Sequence, residues 1–320
     1  FLLFLPLCLP HPPYAAPEPW HSMFSETDVG ELRPPDLEDK PDFYLLIREY
    51  RQLGANSESI SKTVHARYLG MIAYMDHLFG QLIQALNQSE LKEETAVFVC
   101  SDHGDWAGDY GLVEKWPTGM DDCLTRIPFL AQIPGGKPGH TVEEPIELFD
   151  MMATILELAD IEPRHSHFAQ SLVPQLRGAT GDSKRYVFTE GGYDIHEPHC
   201  FEGYESHPAE LEGNMYSPKM KQQQEHPESV SRTTCIRSLD HKLIFRHQGV
   251  CELYDYKTDP RELINQYDNP NYSEVRARLE KELMNWFQRT SDVTPFERDA
   301  RGIPHGNFLH QSLPVETFSV

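Results

Sequence analysis

The sequence predicts an α/β fold, with a mostly parallel central sheet flanked by helices and a smaller C-terminal antiparallel sheet carrying one helix. Three observations lead there. Continuous apolar runs at 1–9 and 95–100 read as strands buried on both faces of a parallel sheet. A long amphipathic stretch leads into the second run, giving a helix–strand unit. Beyond residue 180 the spacing changes to short strands separated by turns, the pattern of antiparallel ribbons.

The elements follow in order. "FLLFLPLCLP" opens the chain as a strand and runs into "PHPPYAAPEPW", a proline-rich loop. It resembles the core of a signal peptide, but it has no initiating Met, basic leader or small-residue cleavage site. Its prolines suit a strand leaving a sheet. Residues 25–42 are acidic and turn-rich. Val64, Tyr68, Met71, Met75, Leu78, Leu82 and Leu86 then recur at helical spacing. After the strand 95–100 and a polar loop, "IPFLAQIPGG" gives another short strand stopped by Pro-Gly-Gly. Residues 143–161 read as a second amphipathic helix, with Pro145 and acidic residues at its start. Strands are expected at 186–190, 234–239, 242–246 and 251–255. "SEVRARLEKELMNWFQRT" closes with a helix capped by its serine. The polar stretch "RGATGDSK" places a boundary near 180, dividing the chain into 1–180 and 181–320. The last 25 residues read as loop or loosely ordered tail.

A net charge of −22 spread among apolar residues excludes the basic footprint that nucleic acid requires, and disfavours anionic membranes. No apolar run is long enough to span a bilayer. Six cysteines are too sparse for a disulfide scaffold. Cys8 and Cys100 sit in strand-like runs and read as core thiols, while Cys235 and Cys251 flank a hairpin and could pair. Asn87 and Asn271 head glycosylation sequons, meaningful only on a secreted chain.

Chemistry is expected where strands end, because ligands of open α/β sheets sit at the carboxyl edge. "VFVCSDHGDWAGDYGLVEK" delivers Asp102 and His103 to that edge, followed by Gly104 for a tight turn. A carboxylate beside an imidazole can form half of a hard-cation site. An ordinary strand-to-loop turn would carry the same residues. His11 in "LPHPPY" emerges on the same edge, although prolines would also hold a structural histidine there. Gly108 and Gly111 permit a loop that returns Lys115 to the strand ends, where its charge suits a sulfate or phosphate; a solvated surface lysine is the plainer reading. His165, His167, His196 and His199 match no standard zinc spacing and read as loop histidines, with His196 and His199 the candidates for touching substrate.

"PHPPY", "TAVFVCSDHGDWAGDYGLVEK", "TRIPFLAQIPG", "ELFDMMATILELADI", "QSLVPQLRG" and "CELYDYKTDPRELINQYDNP" occur in the order that sulfatases show. From Phe1 to about Trp286 the chain resembles these formylglycine-dependent enzymes of the alkaline-phosphatase superfamily. The resemblance implies an alkaline-phosphatase-like sandwich and the hydrolysis of a sulfate ester of a carbohydrate or aryl alcohol. It implies that Asp102 and His103 meet a divalent cation, usually calcium, with His103 as second ligand or sulfate contact. His11 would hydrogen-bond the sulfate or assist the leaving group, and Lys115 would bind a sulfate oxygen and stabilise the ester oxygen. A secreted, lysosomal or periplasmic location follows from the same resemblance.

The departure from the family pattern is large. No Cys/Ser-x-Pro-x-Arg, the source of formylglycine, occurs in the 320 residues; "CLPHP" has Pro12 where arginine belongs. The paired aspartates of the family's metal site are absent too. Truncation upstream of Phe1 explains both, so the expectation is the second half of a sulfatase site, inactive alone and with no nucleophile of its own. Two other readings stand beside it. One is a phosphonate or phosphate-ester hydrolase of the same superfamily; the other is a non-catalytic binding protein that keeps the sulfatase shell.

Overall fold

The computed structural model describes residues 1–54, 58–204 and 213–293; the expected C-terminal tail lies outside them. In chain order the helices are α1 (Phe43–Tyr50), α2 (Glu58–Asn87), α3 (Asp122–Thr125), α4 (Asp150–Leu158), α5 (Val173–Leu176), α6 (Ser217–Glu225) and α7 (Ser273–Thr290). The strands are β1 (Val97–Cys100), β2 (Phe129–Gln132), β3 (Val187–Gly191), β4 (Thr233–Arg237), β5 (His241–Arg246) and β6 (Glu252–Asp255). Helices and strands alternate through the first part, and an antiparallel sheet with its helix follows.

The edge that carries Asp102 is built from β1 and β2, paired antiparallel from Val97 opposite Gln132 to Cys100 opposite Phe129. Residues 1–9 form no strand, and Phe1 to Phe4 stand at least two-thirds exposed. Such a run needs neighbours to satisfy its backbone and cover its side chains, and the described residues supply none. For the same reason β1 is half-exposed rather than buried on both faces. Cys8 and Cys100 are exposed free thiols instead of core ones, and Cys235 and Cys251 are unpaired.

Helix α2 spans the expected periodic stretch and extends it, although of the expected face only Met71 is fully buried. Its Gly70 lets the proline-rich loop approach: a Cβ there would lie 2.2 Å from the carbonyl oxygen of Trp20. Trp20 packs on Tyr74 and His77 of the helix, and Tyr14 on Tyr68. The loop bearing His11 is thus fastened to a rigid rod.

The helix expected over 143–161 is realised only as α4. Asp150 accepts from the amides of Glu147 and Gln170 and pairs with Arg185 at 2.7 Å. Glu147 in turn accepts from the amide of Phe188 in β3. The residues before Asp150 therefore tie the chain to β3 rather than continue a helix. The serine cap expected for α7 is not formed either: Ser273 is the first helical residue, and Tyr272 precedes it without capping the helix by its side chain.

The second sheet runs β3-β4-β5-β6, antiparallel throughout. Its two faces differ by the strand period of two. Ile236, Leu243 and Leu253 face α7 and bury Leu279 and Leu283, with Phe188 stacked on Trp286 at 4.6 Å. Cys235, Ile244 and Tyr254 lie on the opposite face with Met120. Lys242, Arg246 and Glu252 share that second face, and all are buried.

Those buried charges explain how the sheet holds the site. Lys242 Nζ lies 2.8 Å from Glu262 and 3.1 Å from Asp122; Arg237 reaches the second oxygen of Asp122 at 3.0 Å. Tyr256 donates to both carboxylates. Beside them Asp121 pairs with Lys40 at 3.0 Å and accepts from Tyr44 and Trp106. Burial alone would raise both aspartates, but Lys40 holds Asp121, and Lys242 with Arg237 holds Asp122, below the usual carboxylate range.

Removing one partner from such a buried set leaves uncompensated charge. Lys242→Met is expected to cost about 3–5 kcal/mol in urea unfolding. Lys257→Met, which breaks an exposed pair with Asp240, is expected to cost less than about 1 kcal/mol. Because the folded-state pKa values of Asp121 and Asp122 are depressed, their contribution is complete above the unfolded carboxylate value of about 4. It is lost as pH falls from there, so unfolding followed by circular dichroism is expected to show stability falling in that direction.

Candidate active site

Asp102 and His103 follow β1 directly, on a turn set by Gly104. The glycine is needed for close approach rather than for left-handed backbone: a Cβ would lie 1.9 Å from the carbonyl oxygen of Cys123. Asp102 Oδ1 accepts from the His103 amide at 2.9 Å. His103 Nδ1 lies 2.8 Å from the Gly104 carbonyl, which can only accept, so Nδ1 carries the proton. In the neutral ring Nε2 is then a lone pair, and it lies 3.6 Å from Asp102 Oδ2. The two side chains are 84% and 42% exposed.

A nitrogen and an oxygen at that spacing fit adjacent positions around one hard cation. Bonds of about 2.4 Å set at right angles span about 3.4 Å. Calcium takes six to eight oxygen-rich ligands, whereas this turn offers two. No group of three His, Cys, Asp or Glu side chains able to hold a metal converges among the described residues. The donors thus fit part of a divalent-cation site, and the chemistry of the pair suits that class of ion.

The loop from Gly104 to Lys115 folds back as its glycines allow, with Gly108 at φ +105° and Gly111 at +66°. Ala107, Tyr110 and Glu114 also adopt positive φ, a costly conformation for residues with a Cβ. Ion pairs hold them there. Arg33 clamps Asp109 at 2.7 Å, and Arg51 clamps Glu114 at 2.5 Å. His65 of α2 holds the Ala107 carbonyl, and Tyr110 donates to the carbonyls of Arg261 and Glu262.

This loop brings Lys115 onto His11. Lysine Nζ and His11 Nε2 are 2.6 Å apart across 104 positions of chain. His11 Nδ1 lies 2.8 Å from the Pro12 carbonyl and donates to it, so Nε2 accepts from the ammonium. Burial lowers the Lys115 pKa and Lys219 lowers it further, while Glu114, Asp105 and Asp102 act in the other direction. The charge of Asp102 is thus felt at Lys115.

Two residues in this region were within the quoted motifs yet carried no expectation. Tyr14 closes "PHPPY", and Asp105 follows "SDHG". Asp105 Oδ1 accepts from the Tyr14 hydroxyl at 2.8 Å and from the amides of Ala107 and Glu114 at 2.7 and 2.9 Å. Only an alternation of turn residues marks Asp105 in the sequence, and nothing there pairs it with Tyr14. Lys219 of α6, outside those motifs, is buried beside Glu202 at 2.7 Å.

His196 and His199 are both exposed, on the loop that leaves β3. The end of β3 abuts the chain just past Lys115: a Cβ on Gly191 would lie 2.1 Å from the Pro117 carbonyl. The His196 amide donates to Asp194, and neither imidazole meets the His11–Lys115 pair in a hydrogen bond. His165 and His167 face each other with ring centres 6.0 Å apart.

Compared with known proteins, residues 1–161 match the sulfatase family, and residues 207–289 match the C-terminal region of N-sulphoglucosamine sulphohydrolase. The arylsulfatase of Clostridium perfringens is 26% identical over 99% of this chain and 58% of its own length. The uncharacterized sulfatase YidJ of Escherichia coli is 24% identical over 94% of this chain and 55% of its own. The chain therefore spans about half the length of the curated relatives it matches. Among solved structures, the phosphonate monoester hydrolase of Silicibacter pomeroyi superposes with a TM-score of 0.72 at 25% identity, covering 88% of this chain and 55% of that one. A family match over half the chain, with an alkaline-phosphatase-like fold around the strand-end residues, establishes that the chain belongs to the sulfatase family.

Proposed function

We propose that this chain carries the sulfate-binding half of a sulfuric ester hydrolase acting on a sulfated carbohydrate or an aryl sulfate. The observation that carries the reading is the 2.6 Å contact of Lys115 with His11, beside a turn whose Asp102 and His103 lone pairs lie 3.6 Å apart. The reading assigns the chemistry to residues 1–180 and makes 181–320 the buttress beneath them. His196 and His199 would approach the substrate's alcohol portion from the β3 loop.

In this reading each residue has one task. Lys115 presents a compact positive charge to a sulfate oxygen and steadies charge building on the ester oxygen. His11, its Nδ1–H committed to Pro12, presents the Nε2 lone pair toward the same oxygen once the anion draws Lys115 away; a proton taken up there from solvent can then pass to the departing alcohol. Asp102 and His103 would hold the divalent cation, calcium by family custom, which when bound withdraws charge from the sulfate. The nucleophile, formylglycine in this family, has no source motif among the 320 residues. No step is assigned to it.

A second reading has its own support. The likeness to a phosphonate monoester hydrolase favours some turnover of phosphonate esters, whose oxyanion differs little in shape. Steady-state rates of the natural protein on an aryl sulfate and on the matching phenyl phosphonate separate the two. The sulfatase reading requires the larger kcat/KM for the sulfate; the reverse order overturns it.

Three further outcomes follow. Lys115→Ala is expected to lower kcat by about 10²–10³-fold with an unchanged circular dichroism spectrum, since one oxyanion donor is typically worth that much. The rate needs the ammonium form, and burial has lowered the Lys115 pKa. Activity should therefore be lost as pH rises toward the ordinary lysine value of about 10.4, with a midpoint below it. Calcium should raise the melting temperature of the natural protein and chelation reverse the gain; Asp102→Ala should remove that response. A full calcium response in the variant takes Asp102 out of the site.

A further inference from the structure

Sulfate-ester cleavage as proposed above depends on two side chains from distant segments meeting at a fixed spacing. His11 lies on a loop fastened to α2, and Lys115 ends a loop fastened to α1 and the 31–35 segment through Arg51 and Arg33. Those ion pairs fix the second loop against its own neighbours. They do not register it against His11.

The registration comes from Tyr14. Its hydroxyl donates to Asp105 Oδ1 at 2.8 Å and accepts from the Glu114 amide at 3.0 Å, one residue before Lys115. Asp105 accepts from that same amide at 2.9 Å and from Ala107 at 2.7 Å. One phenol and one carboxylate oxygen therefore close a ring that includes the start of the Lys115 loop, its end and the His11 segment. Among the described residues, the hydrogen bonds from 10–16 to this loop are those of Tyr14 and of His11 itself. Glu114, at φ +64°, sits where a small change of backbone angle would swing Lys115 away. The Tyr14 ring is held edge-on by Tyr68 at 6.3 Å, so the hydroxyl cannot drift.

We propose that Tyr14 and Asp105 form a positioning clasp that sets the spacing of Lys115 and His11 for sulfate-ester cleavage. Neither residue touches the reacting atoms; both act through Lys115. The inference rests on the reading that Lys115 and His11 serve the sulfate. A displacement of about 1 Å at a reacting group can cost on the order of 10²-fold in rate. Loss of the clasp therefore belongs in kcat rather than in KM.

The test uses the full-length natural enzyme with an aryl sulfate, comparing Tyr14→Phe, Asp105→Asn, Lys115→Ala and the Tyr14→Phe/Lys115→Ala double variant. Tyr14→Phe keeps the ring on Tyr68 and removes only the hydroxyl. It is expected to lower kcat by about 10–100-fold while KM stays within about threefold and the melting temperature within a few degrees. In the double variant the hydroxyl should no longer matter, because the group it positions is gone, so the effects should be far from additive. Wild-type kcat in Tyr14→Phe, or fully additive losses in the double variant, overturns the clasp. Should Asp105→Asn fail to fold, the Tyr14→Phe result decides alone. If Lys115→Ala turns over like the wild type, the sulfate-site reading itself falls and takes the clasp with it. If Lys115→Ala is crippled while Tyr14→Phe is not, only the clasp is lost.

Discussion

Everything that positions the site rests on the adjacent aspartates 121 and 122, which are buried in opposite directions. Asp121 points to Lys40, Tyr44 and Trp106; Asp122 points to Lys242, Arg237 and Tyr256. One turn of chain thereby joins the helical layer to the charged face of the antiparallel sheet. Placing so many ions away from water is costly, and their mutual attraction offsets the cost only when every lone pair finds a partner. What this arrangement supplies is register. Arg246 adds a further bond to the Thr118 carbonyl at 2.8 Å, so the segment following Lys115 is held along its length.

That anchoring accounts for the uneven stiffness of the edge. The Lys115 side is over-determined by arginine clamps and by a loop that tolerates three residues at positive φ. The Asp102 side is open, its carboxylate mostly solvated and held only by its chain neighbours, the His103 amide and, at 3.5 Å, the Ser101 hydroxyl. A point charge must be placed accurately to favour a transition state, whereas a hard cation gathers flexible oxygen ligands at variable angles. In the proposed reading the contrast is a division of labour: the protein fixes the lysine, and a bound cation would order the carboxylate.

Much of this was legible in the sequence. The second sheet was found to within a few residues because short strands broken by turns leave a strong local pattern, and α7 came from its alternating charges and opening serine. Asp102 and His103 stood out because they follow an apolar strand, Lys115 because glycines at 108 and 111 let its loop return, and His11 through a strand at 1–9 that does not form. What was lost has physical causes. Lys242 and Arg246 look like the polar positions of an exposed ribbon, and only their partners, Asp122 and Glu262 for the lysine and Glu252 and the Thr118 carbonyl for the arginine, reveal a second buried face. The residues before Asp150 had helical spacing, yet Asp150 takes the Glu147 amide and Glu147 takes that of Phe188, a competition that spacing cannot express. The strand expected at 1–9 failed because strand formation is a property of pairs.

Tyr14 shows the same limit at the scale of one hydrogen bond. A tyrosine after two prolines and an aspartate after Asp-His-Gly are each unremarkable, and their meaning arises only when the chain folds them 2.8 Å apart. The charge balance carries a related lesson. A net charge of −22 would repel a sulfate ester at long range, but in physiological salt that repulsion fades within about 8 Å. Inside that distance the local set decides, and at this edge it brings Lys115, with Lys219 close enough to act on it, against the background of the chain. Lys219 is already matched by Glu202, and Lys115 by nothing stronger than a neutral imidazole. In the proposed reading, that leaves the Lys115 charge available to an anion from outside.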